Sequence, residues 1–419
     1  MIRRSPVRVV FVAPFFFPAT LRFLDAVASL PGVPVAVVSQ APLAKLPEVI
    51  RRKVSGHYRV EDALNAGQLA NAVKFLARQM SGVERLFGAL EHLQVALGQV
   101  RDHLGIPGIS EKAARNFRDK AQMKGILRAN GLPCARHGRA TSMGEARAIA
   151  AEIGLPVVIK PPEGAGAVAT YRVSNGEELR RALIASAPGP DRPIVIEEFV
   201  SGRENSLETV CIRGRPVWDS HTRYTPAPLQ VLETPWIQWT VLLPREEHDG
   251  DTELIRRPAR AALEVLGMHT GLTHLEWFRT ERGPAISEVA ARPPGAQIVP
   301  LNSYAHEADF HHLWARLMVH EEFEPPVRKY STGVAFFRGQ SLGRIGERGG
   351  AGRIIALRGL DRAQDELGHL VVEANLPKLG RNKQPTYEGD GYAILRHPDT
   401  GVVEKALQRL VSLVQVEVA

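Results

Sequence analysis

LPVVIKPPEGAGAVATYRV, residues 155–173, sets a lysine at the end of an apolar run just ahead of a loop of small residues. The stretch is suited to meeting an anion, yet it has neither the Gly-Lys-Ser/Thr ending of a P-loop nor the GxGxxG spacing that opens a Rossmann helix. Both of those loops lead into helices. Here VVIK reads as a strand, Pro161 to Ala167 as a turn and VATYRV as a second strand, so the expected unit is a β-loop-β hairpin. Lys160 would emerge at the strand end with its charge directed into a cleft. Gly164 and Gly166 would leave backbone N–H groups open to a closely approaching anion. Taken alone, the same pattern also describes an ordinary hairpin, and its neighbours have to decide.

In IVIEEFVSGRENSLET (194–209), Glu197 and Glu198 terminate an apolar run and Glu204 follows across a Ser-Gly turn. A carboxylate at a strand end can accept from the exocyclic amine of a purine, and a second from ribose hydroxyls. A solvated sheet edge is the plainer reading of the same acids. THLEWF (273–278) and AISEVAARPPG (285–295) each place one carboxylate, Glu276 and Glu288, inside a strand pattern. A charge on an apolar strand is costly unless paired or bound to a cation. Two such acids on adjacent strands would make an all-oxygen site of the kind Mg2+ uses together with nucleotide phosphates. Arg292, four residues after Glu288, can hold a phosphate or carboxylate by its fork, or serve as a structural partner of that glutamate.

The chain around these motifs has 419 residues, enough for about three domains. With 44% hydrophobic and 23% charged residues, and no apolar run near the length of a membrane span, it reads as a globular protein rather than a membrane one. The start, MIRRSPVRVVFVAPFFFPAT, has the basic-then-apolar order of a secretory leader, but Pro14 and Pro18 interrupt it and VRVVFVA suits a buried parallel strand. Two cysteines, Cys134 and Cys211, make no disulfide framework and agree with a reducing cytoplasm. The net charge of +8 is spread without any block of like charge, which argues against a nucleic-acid partner and suits small anionic substrates.

Residues 7 to about 110 alternate apolar runs with amphipathic stretches, the pattern of βαβ units on an open parallel sheet. SEKAARNFRDKAQMKGILRANG is expected as helix from a Ser110 cap to an Asn130-Gly131 stop. The middle, to about 300, turns α+β. Beyond about 330 come short strands, with GERGGAGR as a turn, and a last helix around VVEKALQRLVSLVQ. AHEADFHHLW reads as an amphipathic helix whose histidines, His306, His311 and His312, match no metal-ligand spacing.

In order, FRDKAQMKGILRANGLP, LPVVIKPPEGAGA, VIEEFVSGRE, HLEWF and SEVAARPPG resemble the ATP-grasp superfamily of carboxylate-amine and carboxylate-thiol ligases, over about 110 to 320. The resemblance implies a pre-ATP-grasp α/β domain at 1–110 and an ATP-grasp domain at 111–325, with subdomains about 111–196 and 197–325. A small β-rich α+β domain follows at 326–419. It implies that Lys120 and Lys160 hold ATP phosphates under a glycine loop that includes Gly164 and Gly166. Glu197 would lie near the adenine amine with Val200 as a backbone contact, and Glu204 would bind the ribose. Glu276 and Glu288 would ligate Mg2+, with Mn2+ as a substitute, and Arg292 would stabilise the transferring phosphoryl group. Arg223, on a substrate-side strand, is the candidate for gripping a substrate carboxylate.

One departure is Ala290, where many members read Glu-x-Asn; the ExxARxxG pattern found here resembles amino-acid ligases. The implied activity is ADP-forming C–N ligation of a small carboxylate to an amine, amino acids or dipeptides foremost, and dimers are common among members. Biotin-carboxylase-like carboxylation and a nucleotide-binding protein without catalysis are the alternatives.

Overall fold

The apolar run Val9–Val12 is a fully buried strand, flanked in parallel by Val35–Ser39 on one side and Arg85–Phe87 on the other, with Gly56–Arg59 beyond Val35–Ser39. The computed structural model describes residues 6–164, 169–234, 236–341 and 352–419. Both faces of this first sheet are covered, which is why its two central strands, Val9–Val12 and Val35–Ser39, are buried throughout rather than alternating. Val9, Phe11, Val35 and Val37 pack on one side with Phe23, Leu24 and Trp314, while Val10, Val12, Ala36 and Val38 pack on the other with Leu69, Val73 and Leu97. Trp314 belongs to the helix Phe310–His320, so the first sheet is docked on a later part of the chain.

The expected helix from Ser110 to Asn130 is two helices. Ser110 caps Glu111–Arg118 by accepting from the N–H of Ala113, as anticipated. Asp119 then leaves helical geometry, with φ −88° and ψ 108°, and its carboxylate accepts from the N–H groups of Ala121 and Gln122. The side chain competes with the helix for the backbone and starts a new one, Lys120–Ala129. AHEADFHHLW divides for the same reason. Ile298–His306 stops at Glu307, φ 52°, and Asp309 caps Phe310–His320.

VVIK and the strand after it form the predicted hairpin: Val157–Lys160 pairs antiparallel with Tyr171–Val173. Ala165 to Val168, including Gly166 of the glycine loop, lie outside the described residues. The hairpin belongs to a four-stranded antiparallel sheet ordered His137–Ala140, Ile194–Glu198, Val157–Lys160, Tyr171–Val173. Val157, Ile159, Ile194 and Ile196 face Ala146, Ala150 and Leu183 of the covering helices Met143–Ile153 and Gly176–Ser186. Period-two alternation therefore turns Val158, Lys160, Val195 and Glu197 to the opposite face.

Facing it is an eight-stranded antiparallel sheet in the order Gly283–Ala290, Gly271–Thr280, Arg203–Ile212, Arg215–Thr225, Trp239–Leu243, Ser331–Phe337, Gly391–His397, Val371–Asn375. Arg213 and Gly214 join the third and fourth strands with φ of 50° and 78°, the two positive values a two-residue hairpin turn demands. Strands from the stretch expected as the C-terminal α+β domain continue this same sheet. A helix over Thr400–Leu413 follows, and the chain then adds Gln415–Val418 to a three-stranded sheet with Gly339–Ser341 and Ile354–Arg358. Of the GERGGAGR turn, only Gly352 and Arg353 lie among the described residues. No described helix is long and apolar enough to cross a membrane.

Candidate active site

The inner faces of the two antiparallel sheets, with the first turns of the helices Pro18–Ala28 and Lys120–Ala129, enclose a cavity of about 730 Å3. Lys120, Lys160, Gly164, Glu197, Val200, Glu204, Glu276, Glu288 and Arg292 all line it, so the structure brings together most of the residues the sequence singled out. Among the described candidates Arg223 is the exception. Its neighbour Tyr224 lines the cavity, and successive residues of a strand point to opposite faces. Arg223 instead donates to Asp249, 2.5 Å away, the residue that caps the helix Gly250–Leu266. The carboxylate grip expected of it is not on the cavity side.

The helix break at Asp119 decides where Lys120 goes. Lys120 becomes the first helical residue, its backbone N–H donates to the carbonyl of Pro162, and its buried ammonium donates to Gly164 O and Glu288 Oε1, each at 2.8 Å. Gly164 thus presents a carbonyl to Lys120 and Arg118 in this structure, rather than the N–H expected from a glycine cradle. One turn on, Lys124 shares the face of Lys120, as residues four apart on a helix do. It is 1% exposed, donates to Ser287 O at 2.7 Å and stands 3.2 Å from Glu197. Sequence reading missed Lys124, although its spacing from Lys120 was the signal for it.

Glu197 is the hub of the cationic side. Lys160 and Lys124 both pair with it. Burial pushes its carboxyl upward, but the two ammonium groups outweigh burial and bring it down to about 2. The same ion pairs hold Lys160 protonated: burial works against its charge, and Glu197 and then Glu288 reverse that.

On the opposite wall Glu276 and Glu288 are direct partners across one antiparallel strand pair, which confirms that the two acids occupy adjacent strands. Glu288 is drawn below the ordinary carboxylate range; burial opposes its ionisation, and Lys120 and Lys160 overcome burial. Glu204, on the next strand, has the reverse balance. Burial and then the charge of Glu276 raise its carboxyl well above the usual range, and Lys160 only partly offsets them. Three acids converge there on too little positive charge. Behind Glu276 lies a relay the sequence reading did not identify. Glu208, 1% exposed, accepts from Ser206 at 2.7 Å and faces His274 Nδ1 at 2.8 Å, while His274 Nε2 is 3.4 Å from Glu276. Burial disfavours the imidazolium, but the two carboxylates raise His274 to about 9.

The unusual balance at Glu204 has a measurable consequence. A carboxyl raised in the folded state relative to the unfolded chain favours folding in the protonated form, so this contribution is present at low pH and is lost as pH rises through its folded value. Glu204→Gln is expected to stabilise the nucleotide-free protein at pH 8 by about 0.5–2 kcal/mol, with a smaller gain at pH 5. Thermal unfolding at the two pH values checks this, and an equal or larger gain at pH 5 would contradict it.

Arg292 donates from Nε to Glu91 at 2.6 Å and from Nη1 to the Pro293 carbonyl at 2.9 Å. Burial opposes its charge and Glu91 sustains it. Glu91 comes from the first α/β region and also lies 3.6 Å from Arg118, so it ties that region to the helix Glu111–Arg118 and to the cavity-lining Arg292. No local pattern in GALEHLQ announces this, because its partners are remote in sequence.

Residues 122–215 match the model of the D-ala D-ala ligase C-terminus. The uncharacterized protein y4rH of Sinorhizobium fredii is 27% identical over 342 residues, 77% of this chain, and the chain spans just under two thirds, 66%, of that relative's length. Among solved structures, L-amino acid ligase from Bacillus licheniformis superposes with a TM-score of 0.75 at 18% identity, covering 99% of both chains. Phosphoribosylglycinamide synthetase from Anaerococcus prevotii gives 0.69 at 14% identity over 98% of this chain and 99% of its own. The biotin carboxylase domain of Hydrogenobacter thermophilus 2-oxoglutarate carboxylase, in complex with MgADP and bicarbonate, gives 0.66 at 15% identity over 99% of this chain and 92% of its own. Along nearly its whole length the chain has the fold of these ATP-grasp enzymes, and within it residues 122–215 match the model of a ligase domain.

Proposed function

We propose that this protein is an ATP-dependent ligase that activates a small carboxylate as an acyl-phosphate and joins it to an amine, with amino acids as the first substrates to consider. The observation that supports this most is the facing pair Glu276 and Glu288 on one wall of a cavity whose other walls present Lys120 and Lys160. In this reading the lysines hold the ATP phosphates, Glu197 and Val200 lie toward the base, and Glu204 accepts from the ribose hydroxyls. No group of three or more His, Cys, Asp or Glu side chains is arranged to hold a metal ion by itself among the described residues. That is compatible with Mg2+, which ordinarily takes one or two carboxylates and completes its shell with phosphate oxygens and water. The excess of negative charge around Glu204, Glu276 and Glu288 fits a cation there. Mg2+, or Mn2+ in its place, supplies charge neutralisation for the transferring phosphoryl group.

The chain's own contribution is positioning and electrostatics. In this reading Lys160 and Arg292 stabilise charge on the phosphoryl oxygens as the substrate carboxylate attacks and ADP leaves. The amine then displaces phosphate from the acyl carbon, so no protein nucleophile is needed. Incubation with ATP, Mg2+ and mixed amino acids, read by mass spectrometry and ADP release, is expected to yield a product equal to two substrates less one water. Tight ATP binding without any acceptor-stimulated ADP release would leave a nucleotide-binding protein instead, and ADP release dependent on bicarbonate would favour carboxylation.

A further inference from the structure

We infer that the substrate end of the cavity selects an amino acid with an aromatic or large apolar side chain and no phosphate group; this rests on the ligase reading and narrows it. The eight-stranded sheet passes from acidic to aromatic across its width, with Tyr224, whose hydroxyl is pushed up by burial and then by the charge of Glu276, in between. Glu288 and Glu276 stand on its first two strands, whereas Tyr224 and Trp239 line the cavity from the fourth and fifth. From the strand of Glu276 to that of Trp239 is three strand spacings, roughly 14 Å. Tyr387 packs beside Trp239 at this apolar end, and Leu229, in the helix Pro228–Glu233 that follows the strand of Tyr224, also lines the cavity.

Trp239 offers that end only hydrocarbon. One face stacks on Phe336 with centroids 4.6 Å apart and planes at 16°, its edges meet Tyr224 and Tyr387 at 6.2 and 5.8 Å, and its indole N–H donates to the Tyr387 carbonyl at 2.7 Å. Its one polar atom is satisfied, so nothing on the ring calls for a polar ligand. Tyr387 is held in place from both sides. The Trp239 bond fixes its carbonyl, and Glu388 beside it accepts from the N–H of Ala296 at 3.1 Å. Its hydroxyl lies over Gly295, where a Cβ would come within 2.4 Å, so the glycine makes room for this wall.

The charges argue the same way. Among the described residues lining the cavity, the lysines are Lys120, Lys124 and Lys160, and all three are engaged by Glu288 or Glu197. Arg292 is the arginine of that lining, and Glu91 already pairs with it. A phosphorylated substrate asks for a second cluster of cationic or N–H donors beside the one for ATP, and among the described residues the apolar end does not supply it. Pockets of this kind bind by apolar fit with few polar groups.

The test is ADP release at saturating ATP with phenylalanine, leucine and tryptophan against glycine, glutamate, lysine and phosphoserine. The large apolar amino acids are expected to exceed the others in kcat/KM by at least roughly tenfold, the scale on which an apolar pocket discriminates. Tyr387→Ala is expected to raise KM for phenylalanine about tenfold with kcat within about threefold, the signature of lost binding rather than lost chemistry. ADP affinity should stay unchanged, and Tyr387→Phe should restore KM. Turnover with glutamate, lysine or phosphoserine in preference to the apolar set keeps the ligase reading and overturns this inference, as does an unaltered KM in Tyr387→Ala. Turnover with no amino acid at all overturns both.

Discussion

Glu288→Gln is expected to lower turnover by about 10²–10³-fold, the loss typical of removing one electrostatic stabiliser from a preorganised site, while leaving most of the nucleotide affinity intact. The amide keeps the shape and one oxygen of the carboxylate, so the change is one of charge. Glu288 is ionised because Lys120 and Lys160 overcome its burial, and it faces Glu276 across the strand pair. Removing its charge takes away half of the oxygen pair proposed to hold Mg2+. Nucleotide affinity has a different dependence. Lys120 divides its ammonium between Gly164 O and Glu288, and without the glutamate's charge it is freer to meet a phosphate. Measuring kcat by ADP release and Kd for ADP by calorimetry separates the two effects. Unchanged kcat would move the metal site elsewhere.

Replacing Glu197 by glutamine should be the most damaging single change to the fold among the cavity residues. It is 6% exposed and pairs two lysines, one of which, Lys124, is 1% exposed. Removing one partner of a buried ion pair leaves an uncompensated charge and costs about 3–5 kcal/mol. The pH dependence follows from the same pairing. The Glu197 carboxyl sits at about 2 in the folded protein against an ordinary 4.5. A depressed carboxyl contributes stability that is complete above the unfolded value and disappears as pH falls from there through the folded one. The difference is worth about 3 kcal/mol. Unfolding of the nucleotide-free protein should therefore become easier between pH 4.5 and about 2, with a shallower dependence in Glu197→Gln. Identical pH profiles for the two proteins would show that the lysines do not depend on this carboxylate.

The hairpin of LPVVIKPPEGAGAVATYRV, with Lys160 closing its first strand at the cavity, was legible because a lysine ending a β-branched run ahead of a glycine turn is a local feature. So were the strand-borne acids Glu276 and Glu288, which stand out as charges inside apolar patterns. Lys124 was legible in principle from its spacing to Lys120, once the helix carrying both is recognised. The break at Asp119 was harder to see, since aspartate inside a long helical pattern is only mildly unfavourable until its side chain is seen capping Ala121 and Gln122. Arg223 failed for a reason of parity: being one residue from a cavity-lining position in a strand places a side chain on the wrong face.

What the sequence by itself determined about this protein is therefore the elements and the faces they offer. Periods of two and 3.6 act over a few residues and write themselves into local composition. Which face meets which was decided only in the tertiary structure. Glu276 became opposite Glu288 through strand register, Glu197 received Lys124 from a helix 73 residues earlier in the chain, and Glu91 reached Arg292 across 201 residues. Those meetings are set by the burial of whole sheets and helices against one another, and the energies that fix them are not properties of any short stretch.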